Sequence, residues 1–195
     1  MHTPVPLHSL AGNSQLSRQY DLLVRLSEVL AADPYCLGAA VGGSLAEGRG
    51  DRMSDVDLLV YCEAGSARTI LENLSNSAAD LPVVHRLVGE HDSNSVYEKV
   101  ILEDWSSYEL HVIEPSTRMR LKPPYVEIID RSGYLQSRLS EDKPIGRQAA
   151  KPYASGDAGL IWELFNCMKW LRRGEVEFTV KYLQSLRIRL QQRER

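Results

Sequence analysis

Residues 41–60 read VGGSLAEGRGDRMSDVDLLV, and this stretch carries the clearest indication of the fold. A Gly-Gly-Ser turn comes first, ten residues follow, and then Asp55 and Asp57 alternate with apolar residues. The flanking apolar runs, 36–41 and 56–62, are typical of buried strands. The stretch therefore predicts a turn and a polar loop between two strands, with a pair of carboxylates on the second strand.

The two aspartates are predicted to share one face of their strand, because successive strand side chains point to opposite faces. Two unpaired carboxylates side by side repel each other and are costly to bury. A hard cation such as Mg²⁺ resolves this conflict, since it prefers carboxylate and phosphate oxygens. Glycines let the backbone approach a phosphate closely, and Ser44 offers both an N–H and a hydroxyl. We therefore expect a nucleotide-binding turn at Gly42, Gly43 and Ser44, beside a metal site at Asp55 and Asp57.

This arrangement resembles the signature of the DNA-polymerase-β-like nucleotidyltransferase superfamily: a Gly-Ser turn, a spacer, and two aspartates set among hydrophobic residues. The resemblance covers roughly residues 38–62. Within the superfamily, the motif is similar to that of small bacterial enzymes acting on aminoglycosides and lincosamides. Minimal nucleotidyltransferases of toxin–antitoxin operons share much the same signature. The resemblance implies one or two Mg²⁺ ions, ATP or another NTP as substrate, and pyrophosphate as the leaving group.

The superfamily places a third acidic residue on a later strand, and Glu109 in the run YELHVI (residues 108–113) is the best match. Alternation puts Glu109 and His111 on one face, and the tyrosine, leucine and valine of the run on the other. Many superfamily members have aspartate here, so Glu109 is either a third metal ligand or the base that deprotonates the acceptor hydroxyl. We expect Asp55, Asp57 and Glu109 to be the catalytic and metal-binding residues.

The order of predicted elements indicates an α+β fold, a mixed-sheet nucleotidyltransferase core followed by a small helical domain. Helical periodicity begins at Ser14, and residues 66–79 predict a second helix. Further strands are predicted at residues 83–88, 96–103, 108–113 and 126–129. From Asp157 onward, two apolar stripes predict a helical pair across Gly174, with Glu163 as a weaker candidate for a general base. We expect a catalytic domain at 1–135, and a connector with the C-terminal helical domain at 136–195.

The charge distribution argues against a nucleic-acid partner. The net charge is −3, and residues 161–195 contribute +4, which leaves −7 for residues 1–160. Proteins that bind nucleic-acid duplexes usually present a basic face. An acidic cleft would instead suit a polycationic acceptor such as an aminoglycoside.

Cysteine usage and hydropathy predict a cytoplasmic protein without a membrane partner. Cys36, Cys62 and Cys167 lie far apart and lack metal-binding spacing, so we expect reduced, mostly buried thiols. The N-terminal stretch MHTPVPLHSLAGNS lacks the charged and apolar segments of a signal peptide. No run approaches the ~18 apolar residues that a membrane-spanning helix needs.

Three functional hypotheses follow. The first is metal-dependent transfer of a nucleoside monophosphate, from ATP or another NTP, to a hydroxyl of a small molecule such as an aminoglycoside or lincosamide antibiotic. The helical pair favours it, because minimal toxin–antitoxin enzymes usually end near the sheet domain. The second is the same chemistry on a protein or tRNA, and the third is a degenerate nucleotide-binding regulatory module. The sequence does not decide the acceptor, the nucleotide, or between a monomer and a homodimer.

Overall fold

A computed structural model of the chain describes residues 4–140 and 151–193. The chain divides into two units, Met1–Pro144 and Ile145–Arg195. The first unit contains a seven-stranded mixed sheet with helices, and the second contains a pair of helices. This architecture confirms the predicted fold class. Among the described residues, no helix has the length and apolar character needed to cross a lipid bilayer.

Six of the seven strands in the first unit lie where the sequence predicts strands, and the short first strand was not predicted. They span Val5–Pro6 (β1), Cys36–Val41 (β2), Val56–Cys62 (β3), Val83–Asp92 (β4), Ser95–Leu102 (β5), Ser107–Ile113 (β6) and Val126–Asp130 (β7). Their order in the sheet is β1-β7-β2-β3-β6-β5-β4. β3 and β6 are parallel, and β2 and β5 flank them as antiparallel neighbours. The two strands around the Gly-Gly-Ser turn thus lie side by side at the centre of the sheet.

Besides two short 3-10 helices, Leu7–Leu10 and Ser14–Leu16, the described residues form six α-helices. They span Ser17–Ala32 (α1), Gly43–Ala46 (α2), Ala67–Ser77 (α3), Tyr134–Ser137 (α4), Gly156–Arg172 (α5) and Val176–Arg193 (α6). α1, α3 and the pair α5–α6 match the predicted helical segments. α2 differs from the sequence prediction, because the chain continues from the Gly-Gly-Ser turn into a single helical turn before the polar loop.

The main apolar core lies between one face of the sheet and helices α1 and α3. The helices contribute Leu23, Leu26, Leu30, Ile70 and Leu74. β3 contributes Val56, Leu58 and Val60, all fully buried. Because strand side chains alternate, Asp55 and Asp57 must point to the opposite face. Packing on the helix side therefore orients the carboxylates.

A second, smaller apolar cluster covers part of that opposite face. It is formed by Ala40, Tyr61, Ile113, Leu121, Tyr125 and Leu135, which are all buried. Tyr61 and Ile113 lie at the carboxyl ends of β3 and β6, and the carboxylates lie toward the beginnings of the same strands. The sheet face is thus divided between an apolar, covered part and a polar part.

The three cysteines are free and buried, as predicted. Burial raises the pKa of the Cys36 and Cys167 thiols to about 11 and that of Cys62 to about 12. All three therefore stay protonated near neutral pH and act as small apolar side chains.

Candidate active site

Three carboxylates meet on the polar face of the sheet. Asp57 on β3 lies directly opposite Glu109 on the parallel strand β6, and Asp55 lies just before β3 begins. One oxygen from each of these side chains lies within 4.8 Å of the other two. Ligand oxygens on opposite sides of one Mg²⁺ are about 4 Å apart. The residues predicted from the sequence are therefore brought together at separations that fit ligands of a shared cation.

Asp55 is oriented by a serine at the start of the neighbouring strand. The Ser107 hydroxyl donates a hydrogen bond to Oδ1 of Asp55. Ser107 is 3% exposed, so water competes little for this bond. One carboxylate of the cluster is thus held by a buried donor that belongs to β6.

The loop leading into Asp55 is anchored to helix α1 by Gln19. The buried Gln19 amide group donates to the Ser54 carbonyl at 3.1 Å and lies 3.4 Å from the carbonyls of Asp51 and Arg52. Ser54 is itself buried, and its hydroxyl accepts the Asp51 N–H at 2.9 Å. This network fixes the point at which the chain enters β3, and hence the position of Asp55.

The Gly-Gly-Ser turn contacts the strand that bears Asp57. The Gly42 N–H donates to the Asp57 carbonyl at 2.9 Å. Gly43 has φ +63°, in the left-handed region that favours glycine. A Cβ at Gly43 would collide with the Asp57 carboxylate. Glycine at 43 therefore permits both the backbone conformation of the turn and its close approach to the carboxylate.

Glu109 is held in its ionised form by neighbours on the sheet. Its Oε2 lies 2.5 Å from Nζ of Lys99, the residue opposite on β5, and 3.3 Å from Nε2 of His111. Burial acts to raise the pKa of Glu109, but the hydrogen bond from His111 and the charge of Lys99 outweigh it. The pKa is lowered to about 2, so Glu109 is a carboxylate at neutral pH.

A histidine and a tyrosine extend the polar face beyond Glu109. Nδ1 of His111 lies 2.9 Å from Nε2 of His91, and the His91 ring packs 4.7 Å from the Tyr97 ring, between centroids. Burial, together with the nearby charges of His111 and Lys99, lowers the pKa of His91. His91 is therefore neutral at physiological pH, and the polar face continues from the carboxylates into an imidazole pair.

Sequence reasoning did not identify Lys99, His91 or Tyr97. The strand predicted at residues 83–88 ends before Gly89. In the structure β4 continues through Gly89, where a Cβ would collide with the Tyr97 side chain. The sequence could have indicated Lys99, because alternation along β5 puts the side chains of Tyr97 and Lys99 on the same face of that strand.

Glu163 has a structural role. It lies in α5 of the second unit, is 8% exposed, and accepts hydrogen bonds from the Tyr182 hydroxyl at 2.9 Å and the Tyr153 N–H at 3.0 Å. A carboxylate engaged in this way serves the packing of its own unit. These contacts give no support to the weaker prediction of a general base.

Replacing Lys99 with methionine should destabilise the cation-free protein by about 1.5–3 kcal/mol, the usual contribution of a hydrogen bond to a charged group. The variant leaves three carboxylates without the ammonium that balances Glu109. Urea unfolding in the presence of a chelator measures the change. Arg68→Met is the control, because it removes a cation from an exposed ion pair with Glu90. We expect it to lower the free energy of unfolding by no more than about 1 kcal/mol. Equal stabilities of the Lys99 variant and the wild type would contradict the expectation.

Comparison with known proteins shows that the part of the chain that contains this site matches a protein family. The model of the family described as "Nucleotidyltransferase domain" matches residues 20–134, more than half of the chain. That range contains every residue of the carboxylate cluster and the glycine turn. A comparison with curated proteins gave no match.

Similar solved structures include Cid1 in complex with its short product ApU, at 16% identity and a TM-score of 0.37. They also include terminal uridylyl transferase 4 from Trypanosoma brucei with bound UTP and UMP, at 18% identity and a TM-score of 0.35. These matches cover 54% of this chain but only 32% and 37% of those chains. The match to a protein of H. pylori that is named as a nucleotidyltransferase covers 89% of this chain and 83% of that chain, at 12% identity and a TM-score of 0.40. All these scores are below 0.5, so family membership rests on the sequence match alone.

Proposed function

Because the chain belongs to the family of nucleotidyltransferase domains, we propose that it transfers a nucleoside monophosphate from an NTP, with ATP as the first candidate, to a hydroxyl of a small molecule. The observation that carries this proposal is the cluster of Asp55, Asp57 and Glu109 on one sheet face, with the Gly43 turn against Asp57. Carboxylates beside a glycine turn suit a metal-bound triphosphate.

The acidic cluster fits one or two Mg²⁺ ions, with Asp55, Asp57 and Glu109 as the protein ligands. A bound cation of this kind would neutralise charge on the triphosphate and on the departing pyrophosphate. Other residues of the chain position the carboxylates: Ser107 holds Asp55 by a hydrogen bond, and the Gly43 backbone lies against Asp57. The turn formed by Gly42, Gly43 and Ser44 is the proposed binding site of the phosphates. The Gly42 N–H is bonded to the Asp57 carbonyl, so the N–H groups of Gly43 and Ser44 are the ones that would contact a phosphate.

The proposed transfer is a single displacement at the α-phosphorus of the NTP. The acceptor hydroxyl oxygen forms a bond to the α-phosphorus, and the bond from that phosphorus to the oxygen bridging to the β-phosphate breaks. Pyrophosphate leaves, and the hydroxyl proton passes to solvent. The protein therefore contributes alignment and charge neutralisation, and no covalent intermediate with the chain is required.

The contacts of Glu109 favour the metal-ligand role over the base. Its Oε2 is engaged by Lys99 and His111, and a carboxylate held so firmly ionised is a weak proton acceptor. Glu109→Gln is therefore expected to weaken Mg²⁺ binding by about 10-fold or more. A variant that bound Mg²⁺ like the wild type but lost turnover would instead indicate the base.

For the acceptor, we propose an aminoglycoside or lincosamide antibiotic. The net charge of −7 over residues 1–160 complements a polycationic aminoglycoside. The helical pair after the sheet unit adds surface beyond a minimal catalytic core. Both observations support a small molecule over tRNA, which is a polyanion.

A substrate panel tests this function. The full chain is incubated with Mg²⁺ and each of the four labelled NTPs, together with aminoglycosides, lincosamides or tRNA, and both pyrophosphate and the labelled product are measured. We expect pyrophosphate release that depends on an antibiotic, with the label on that antibiotic. Label on tRNA or on protein would overturn the acceptor, and binding of NTP and Mg²⁺ without turnover would favour a regulatory module.

Ser107→Ala is expected to raise the Mg²⁺ concentration required for half-maximal activity by about 10- to 100-fold, the usual effect of losing a hydrogen bond to a metal ligand. The reason is that Asp55 loses its buried donor. Ser9→Ala is a suitable control, because the Ser9 hydroxyl bonds only locally to the Pro6 carbonyl at an exposed position. An unchanged Mg²⁺ requirement in the Ser107 variant would show that Asp55 does not depend on this serine.

A further inference from the structure

Three aromatic rings adjoin the carboxylate cluster on the polar face of the sheet. His111 lies on β6 two residues after Glu109, and Tyr97 lies opposite it on β5. The third ring is that of His91, on β4. Its centroid lies 4.7 Å from that of the Tyr97 ring and 5.1 Å from that of the His111 ring. We call these three rings the imidazole platform.

His91 reaches the imidazole platform from a bulge in β4. Glu90 lies opposite Val96, and Asp92 lies opposite Ser95, so His91 is an extra residue with no partner on β5. Bulges of this kind redirect a side chain and are frequent beside active sites. The position of His91 is therefore a specific feature of the strand.

Asp92 fixes the hairpin that carries His91. Its Oδ1 accepts hydrogen bonds from the Asn94 N–H at 2.9 Å and the Ser95 hydroxyl at 2.8 Å, and its Oδ2 accepts one from the Thr117 hydroxyl at 3.1 Å. The bond from the Asn94 N–H, together with that from Ser95, lowers the pKa of Asp92. A fixed carboxylate charge therefore lies next to His91 in the chain.

The direction of the hydrogen bonds leaves an acceptor on His91. The Glu109 carboxylate can only accept, so His111 donates to it through Nε2, at 3.3 Å. In a pair of neutral imidazoles, Nδ1 of His111 then accepts the Nε2–H of His91, at 2.9 Å. Nδ1 of His91 remains as an acceptor without a partner among the described residues. Because His91 is exposed, this acceptor is available to an O–H or N–H group of a ligand.

The imidazole platform lies on the side of the cluster from which an acceptor would approach. The glycine turn follows β2 and lies against Asp57 on β3. The platform belongs to β6, β5 and β4, on the other side of that strand in the sheet. In phosphoryl transfer the attacking and leaving oxygens are roughly in line. If pyrophosphate leaves toward the turn, the acceptor hydroxyl approaches past Glu109, beside the platform.

From this arrangement, and resting on the proposed function, we infer that the imidazole platform is the acceptor subsite and binds a compound rich in hydroxyl and ammonium groups, as amino sugars are. Nδ1 of His91 would accept a hydrogen bond from one of these groups, and the charge of Asp92 would attract an ammonium group. His91 is then a specificity-determining residue. It positions the acceptor and takes no part in the displacement at phosphorus.

Kanamycin, an aminoglycoside with several hydroxyl and amino groups, is the probe. The full chain is assayed with saturating Mg²⁺ and the NTP that supports transfer. We expect His91→Ala to raise the KM for kanamycin by about 10-fold or more, the loss expected for one hydrogen bond to a charged group. The kcat and the KM for the NTP should stay within about 3-fold of the wild type, because only binding of the acceptor is lost. A merely structural defect of the site would change all three constants.

His8→Ala is the matched control. His8 is an exposed histidine in the short 3-10 helix Leu7–Leu10, outside the platform, and its variant should keep all three constants.

Two conservative variants distinguish the nitrogens of His91. Asparagine keeps a polar atom near the position of Nδ1, whereas glutamine keeps one near that of Nε2. We expect His91→Asn to recover most of the kanamycin affinity and His91→Gln to behave like His91→Ala. Recovery in His91→Gln but not in His91→Asn would overturn the assignment of Nδ1 as the contact.

A binding measurement separates this inference from the proposed function. Kanamycin is titrated calorimetrically into the full chain with Mg²⁺ and a non-hydrolysable ATP analogue bound, and we expect binding to His91→Ala to be at least about 10-fold weaker than to the wild type. Binding that depends on His91 without any transfer would refute the proposed function and keep the binding site. Transfer to kanamycin with a wild-type KM in His91→Ala would overturn the subsite and keep the proposed function. No saturable binding of kanamycin to the wild type would also overturn the subsite.

Discussion

Asp57→Asn is expected to lower the rate of nucleotidyl transfer on the order of 1,000-fold, the upper range for losing one group that stabilises developing charge. Asparagine keeps the shape of the side chain and removes the negative charge. Asp57 lies opposite Glu109 and in contact with the Gly43 turn. Its negative charge would therefore hold the proposed cation beside the turn that is proposed to bind the phosphates. Rates are measured at saturating NTP and Mg²⁺ on protein whose folding is checked by its unfolding transition.

Asp80→Asn is the matched control for this substitution. Asp80 is an exposed aspartate that pairs with Arg25 and is not a member of the carboxylate cluster, so its variant should transfer at the wild-type rate. A rate for Asp57→Asn within 10-fold of the wild type would contradict the assignment. So would an equal loss in the Asp80 variant, because it would point to a general effect of charge.

Gly43→Ala is expected to lower transfer by about 100-fold, a loss typical when a reacting group is displaced by about 1 Å. Two effects combine. The backbone at 43 has φ +63°, which costs a non-glycine residue about 1–2 kcal/mol, and the new methyl group would collide with the Asp57 carboxylate. The turn or the carboxylate must move, and either movement disturbs the site. Steady-state rates, with the NTP and Mg²⁺ requirements measured in parallel, record the loss.

Gly65→Ala separates the two effects. Gly65 has φ +82° in the turn after β3, and a Cβ there meets no atom within 4 Å. The control should therefore lose a similar amount of stability and keep its activity. Wild-type activity in Gly43→Ala, or equal losses of activity in the two variants, would show that the contact between the turn and Asp57 has no role in catalysis.

The sequence was sufficient for the central pair of strands and for the faces of their side chains. Alternation along 56–62 and 108–113 has a period of two, so burial of Val56 and Leu58 determines where Asp57 points. The register that puts Asp57 opposite Glu109 could not be derived in this way, because it depends on pairing between segments 52 residues apart. The resemblance to the superfamily implies only that a third acidic residue lies on a later strand beside the pair.

The residues that support the carboxylates were not predicted, for a common physical reason. Gln19 lies on the first helix and Lys99 on β5, and each reaches the site through tertiary packing that has no local signature. Ser107 lies just outside the strand predicted at residues 108–113, although it begins β6 and donates to Asp55. Glu163, the weaker candidate for a general base, accepts a hydrogen bond from Tyr182, a contact that likewise has no local signature in the sequence.

The most direct test of the proposed metal site is a calorimetric titration of Mg²⁺ into the full chain with a non-hydrolysable ATP analogue bound. The wild type should bind Mg²⁺ saturably, Asp57→Asn should bind at least about 10-fold more weakly, and Asp80→Asn should bind like the wild type. Equal Mg²⁺ affinity in the wild type and Asp57→Asn would contradict the claim that Asp55, Asp57 and Glu109 form the metal site of a nucleotidyltransferase.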